Sequence, residues 1–184
     1  MITLTKSHKR TLLGLVLFVF VLGCGVFLAI SPYSPLSGLH NDLKNIDPVE
    51  SQSYTDLDGN IVDLSAFAGK PLVINSWATW MPFSKDELVA LGVAQATYGD
   101  AVKIIAINRM EDKAVVRSYL STYGISESNV LILIDPADTF YKSISGYAMP
   151  ETALYAFDGK IVNHIRGVFV KEELYALIDS IAKK

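Results

Sequence analysis

Pro71-Leu72-Val73-Ile74-Asn75-Ser76-Trp77-Ala78-Thr79-Trp80-Met81-Pro82-Phe83-Ser84-Lys85 is the stretch from which the rest of the chain is read. Its first half is a short apolar run, the pattern of a strand buried on both faces within a parallel sheet. Its second half sets two tryptophans around a turn and a proline where helical spacing begins. Proline suits a first helical turn because its missing N–H has no intrahelical partner there. Leu88, Leu91, Gln95 and Tyr98 continue at helical spacing, Val89, Val93 and Ala96 widen the stripe, and Gly99 marks the stop. A strand, a sheltered turn and a helix therefore meet at residues 77–85.

Outward from that junction the alternation continues. Residues 54–64 read as two short strands around Asp58-Gly59. Residues 102–107 give another strand, and a helix follows over 112–123 with Val116, Tyr119, Leu120 and Tyr123 on one face and Gly124 past its end. A buried strand at 130–134 closes on Asp135-Pro136. A helical turn near 139–143 leads to Gly146-Tyr147-Ala148-Met149-Pro150. Two strands, 152–157 and 161–165, flank Asp158-Gly159. A last helix over 171–182 presents Leu174, Leu177, Ile178 and Ile181. This order predicts an α/β domain with a central mixed sheet and helices on both faces.

The chain has 184 residues, enough for one domain with an appendage, and its 16 basic and 19 acidic residues leave a net charge of -3. Nothing in that balance points to nucleic acid. Thr11–Ile30 carries no charge, and about 20 apolar residues in a helix cross a hydrocarbon core. Lys6, Lys9 and Arg10 precede the span, and the next charges are Asp42 and Lys44. The expected layout is a cytoplasmic basic N-terminus at 1–10, a single-pass anchor at 11–30, a Pro-rich linker at 31–50 and an extracytoplasmic domain at 51–184. The only cysteine is Cys24, inside the span. Val21-Leu22-Gly23-Cys24 also has the look of a lipoprotein cleavage site, so lipidation at Cys24 is the alternative anchor.

From about Ser51 onward the chain resembles the membrane-anchored, extracytoplasmic thioredoxin-like proteins of the TlpA/ResA/DsbE type, in the redoxin superfamily. The resemblance rests on Gly69–Trp80, on Lys85-Asp86-Glu87 opening the helix and on Pro150-Glu151-Thr152 before the final strands. It implies a thioredoxin-like fold, a cis peptide before Pro150 with Met149 near Met81, and a setting in envelope protein folding or cytochrome c maturation. In that family W-x-x-W-C-x-x-C carries a nucleophilic thiolate at a helix N-terminus and a resolving thiol one turn on. Here Met81 and Ser84 occupy those positions. A thioether has no ionisable proton, and a serine alkoxide is no reductant. Peroxidase chemistry fails for the same want of a thiol.

Three readings remain from the sequence. One is a non-catalytic module that holds a protein or extended peptide in a groove of Trp80, Met81, Pro82, Phe83, Met149, Pro150 and Glu151. The other is the oxidoreductase, disulfide reductase or antioxidant, that family membership would label it. A third assigns Cu(I) to the thioethers of Met81, Met110 and Met149, against their plain use as apolar filler. No cofactor is expected. Trp77 is expected in the core. Asn75 is expected to be structural, and Glu151 is read as a hydrogen-bonded structural carboxylate. Arg109, Glu111 and Asp112 read as a solvated loop and cap. His8, His40 and His164 have no zinc-type spacing.

Overall fold

The computed structural model describes residues 52–127 and 129–182. The N-terminus, anchor, linker and Cys24 lie outside them, and among the described residues no helix is long and apolar enough to cross a membrane.

The strands are β1 (Ser53–Asp56), β2 (Ile61–Asp63), β3 (Leu72–Trp77), β4 (Lys103–Arg109), β5 (Leu131–Asp135), β6 (Glu151–Tyr155) and β7 (Ile161–Arg166). The helices are α1 (Ser84–Tyr98), α2 (Lys113–Tyr123), α3 (Thr139–Ser143) and α4 (Lys171–Ala182). One sheet holds the strands in the order β2-β1-β5-β4-β3-β6-β7. β3, β4 and β5 run parallel, while β6, β7, β1 and β2 join antiparallel. β3 is central, and all six of its residues are buried. That is the environment its unbroken apolar run requires, because both faces are covered.

The two faces are covered unequally. α1, α2 and α4 place Leu88, Leu91, Val116, Leu120, Leu174 and Ile178 against Val73, Trp77, Ile104 and Ile132. Each such aliphatic side chain contributes roughly 2 kcal/mol by leaving water. On the other face, among the described residues, α3 and a 3-10 turn at Leu64–Phe67 supply cover through Phe140, Ile144 and Leu64, the last of which the sequence pattern places at the end of a strand. Asp63 ends β2 there by accepting the Ser65 N–H at 2.9 Å.

α1 departs from the expected stripe. Val89, Val93 and Ala96 are exposed, whereas Gly92 and Ala94 are buried with Leu88 and Leu91. The loop before β5 explains it: a Cβ on Gly92 would lie 3.1 Å from the Cβ of Asn129, so the helix packs through its smallest residues. Tyr123 of α2 is also half out of the core, while Gly124 takes the left-handed φ of 63° that ends the helix.

Candidate functional site

The strand-to-helix loop is tightly folded. Trp77 is fully buried, its ring centroid 5.7 Å from that of Tyr119. The Met81 N–H donates to the Ala78 carbonyl at 3.2 Å, and the Ser84 N–H donates to the Met81 carbonyl at 3.3 Å. α1 starts at Ser84 with no side-chain cap on Phe83 and with Asp86 and Glu87 in its first turn, where carboxylates complement the helix dipole. The Ser84 hydroxyl is buried and donates to the Ala78 carbonyl at 2.7 Å. It is a structural tie across the turn, with no base beside it.

Glu111 is part of this construction, which corrects the solvated-loop reading. Its carboxylate accepts the Thr79 N–H at 2.7 Å, the Thr79 hydroxyl, and the Asn108 side-chain amide at 2.8 Å. Arg109 is likewise engaged. Its guanidinium makes a bidentate pair with Asp138 at 2.9 and 2.6 Å and lies 3.6 Å over the Tyr141 ring. Asp112 alone keeps the expected role, at the N-terminal boundary of α2. The Tyr141 hydroxyl donates to the Ala148 carbonyl at 3.0 Å. The end of β4 thus braces both loops of the site.

The Met149–Pro150 peptide is cis. Glu151 follows, fully buried, and its Oε1 accepts the Tyr147 and Ala148 N–H groups at 2.7 and 2.6 Å. His164 Nε2 bonds its Oε2 at 2.6 Å. Burial pushes this carboxyl up, but His164 and the two loop N–H groups outweigh that and hold it below the usual range. The loop after β7 closes the arrangement, Gly167 N–H donating to the Pro150 carbonyl at 2.8 Å. Among the described residues, neither the N–H nor the C=O of Met149 takes part in a hydrogen bond.

A second carboxylate lies beneath the loop. Glu87 is buried and accepts the Asn75 amide and the Phe169 N–H, each at 3.3 Å. Asn75 also donates to Thr152 at 3.0 Å, which fits its expected structural part. Desolvation raises the Glu87 carboxyl to about 7, because two long hydrogen bonds do not replace its hydration.

Around these buried groups the surface is apolar. Trp80 is 63% exposed, Phe83 51%, Met110 65% and Tyr147 75%. Pro82 is exposed, and Met81 and Met149 are half-buried. Of the thioethers named for Cu(I), Met81 and Met149 thus belong to the two loops, while Met110 projects from the end of β4 with φ 61°. A groove of about 540 Å³ between Thr79 and the Val115, Tyr119 and Tyr123 side chains of α2 adjoins the loop.

Sequence reasoning missed Glu87, Glu111 and His164 as members of the site. Glu87 left one signal, a carboxylate beside Leu88 and one turn before Leu91 on an inward face. The other two left none, because the loop residue Thr79 that Glu111 holds is 32 residues away and Glu151 is 13 from His164.

A loop of this shape at the end of a central parallel strand, with a cis-proline beginning the adjacent antiparallel strand, defines a thioredoxin-like protein. The chain belongs to the Redoxin family, matched over residues 44–178. It is related to thiol-disulfide oxidoreductases of the ResA type. It is 28% identical over 121 residues to the thiol-disulfide oxidoreductase ResA of Bacillus thuringiensis subsp. konkukian, covering 65% of this chain and 68% of that one. ResA of Geobacillus kaustophilus is 28% identical over 128 residues, 69% of this chain and 72% of that protein. Among solved structures, a secreted Mycobacterium tuberculosis disulfide oxidoreductase homologous to E. coli DsbE superposes with a TM-score of 0.63 at 23% identity, over 73% of this chain and 98% of that one. A thioredoxin-family thiol:disulfide interchange protein of Chlorobium tepidum TLS gives 0.63 at 19% identity, over 74% and 97%. Both likenesses establish the fold.

Proposed function

We propose that this chain is a redox-inactive thioredoxin-like module, tethered to the cell membrane through residues 11–30 with its domain facing outward, that holds an extended segment of a partner protein. The observation that carries the reading is the free backbone of Met149 beside the cis-proline. An N–H and a C=O left open at a sheet end offer main-chain pairing to an extended strand. The exposed rings of Trp80 and Phe83 supply anchors next to it. The positions that would perform exchange hold Met81 and a serine whose hydroxyl is already committed to Ala78. Its setting, as the resemblance to the TlpA/ResA/DsbE type implies, is envelope protein folding or cytochrome c maturation.

The rival is the oxidoreductase. One observation favours it: Glu87, with its raised pKa, is a buried acid beneath the loop. Reduction of insulin disulfides and exchange with glutathione decide between the two, measured on the full chain in membranes. The module gives no turnover above background, and a photo-crosslinker at position 83 captures a discrete protein. Turnover with Met81 and Ser84 intact would overturn the proposal.

A further inference from the structure

We propose that His164 is the positioning residue of the cis-proline loop: by donating to Glu151 it keeps that carboxylate an ionised double acceptor, which fixes the loop whose Met149 backbone stays open. The inference deepens the proposed binding function and rests on it for what the loop does, though the clamp itself stands on geometry.

The side chains of Glu151 and His164 are 0% and 3% exposed, so neither is held in place by solvent. A carboxylate removed from water needs donors on both oxygens. Oε1 has two, the Tyr147 and Ala148 N–H groups. Oε2 has His164 Nε2 alone, at 2.6 Å. Without that donor the ionised form loses one of its three donors and all compensation at Oε2, and the carboxyl takes up a proton more readily. A protonated acid is a weaker acceptor for the two loop N–H groups. The position of His164 follows from the sheet: it faces Ala153 in the β6–β7 register, two residue pairs from Glu151 and so on the same face. Among the described residues the His164 side chain makes no other hydrogen bond, and its Nδ1 is buried with no partner.

The charged and titratable groups around the carboxyl are few. On β7, Arg166 is its register partner, and the Arg166 guanidinium lies 4.8 Å over the exposed Tyr147 ring. From α3, Tyr141 faces it, and that hydroxyl holds the Ala148 carbonyl. Arg109 covers the far side of the Tyr141 ring and is neutralised by Asp138. On β3 the register partner is Ser76, which is uncharged. The loop is thus held at Ala148 from two sides, by Tyr141 on its C=O and by Glu151 on its N–H, and only the second depends on a proton.

The test is an amide NMR titration of the full-length chain in detergent micelles, following Tyr147 and Ala148. In wild type these amides stay unchanged through the neutral range and move only on acidification, in step with the Glu151 side-chain carboxyl signal. In His164→Leu their midpoint moves up in pH, and in His164→Gln, which restores a donor, it returns toward the wild-type value. Amides that titrate alike in all three proteins overturn the inference. So does a wild-type titration in which the loop amides and the Glu151 carboxyl move independently, a readout that survives if the leucine variant fails to fold. A parallel arm follows crosslinking from position 83 at neutral pH, lost in His164→Leu and regained in His164→Gln. Should wild type capture no partner, the binding reading fails while the NMR result still judges the clamp.

Discussion

Glu87→Gln should make the domain more stable in alkaline than in acidic solution, relative to the unaltered chain. The Glu87 carboxyl stands at 4.5 in the unfolded chain and at about 7 in the folded one. Between those values the folded state binds more protons than the unfolded state, so stability falls as pH rises through the window. Below 4.5 both states are protonated and the burial of Glu87 costs no charge. Above 7 both are ionised, and the full penalty of about 3 kcal/mol applies, from 1.36 kcal/mol per pH unit over the interval. Glutamine has no proton to lose, so its melting curve lacks this slope. It also turns an N–H toward the Asn75 amide, a mismatch that shifts its stability by a constant amount at every pH. The informative quantity is therefore the change in the difference between the two proteins. Thermal melts followed by circular dichroism at about pH 4.5 and pH 8 should show that difference moving in favour of the variant by roughly 10 °C. A difference that is the same at both pH values would refute the claim that an uncompensated carboxylate lies under the loop.

Other perturbations probe the braces around it. A Cβ on Gly146 would sit 2.5 Å from two carbons of the Tyr141 ring. Gly146→Ala should therefore cost about 1–3 kcal/mol in denaturant titrations and loosen the Ala148 contact. Glu111→Ala leaves the Thr79 and Asn108 donors without their acceptor. It should cost about 2 kcal/mol and increase the mobility of Trp80, read by fluorescence anisotropy. Met81→Cys with Ser84→Cys restores a thiol pair around the start of α1. That double variant should reduce insulin where the parent does not, and either single variant should remain without turnover. A double variant as inert as the parent would mean that more than the sulfur atoms has been lost from the loop.

Most of the fold was legible in residue order. The strands and helices lie where the apolar runs and helical periods placed them, because each period is imposed locally by the pleat or the helical turn. The cis peptide at Pro150 and the core position of Trp77 were likewise foreseeable, the first through resemblance. The inward face of α1 was not. Periodicity counts apolar residues, whereas the close approach of Asn129 favours a residue without a Cβ at Gly92.

The sequence by itself determined what this protein lacks and what kind of scaffold it is. The absence of a thiol at positions 81 and 84 is a matter of atoms, and no packing can supply one. Only the tertiary structure decided how the polar residues are used. Glu87, Glu111, Glu151 and His164 are ordinary surface residue types in a one-dimensional reading. They become clamps, Glu111 part-buried and the other three side chains buried, because a mixed sheet brings β3, β4, β6 and β7 into register and limits the water their hydrogen bonds could choose instead.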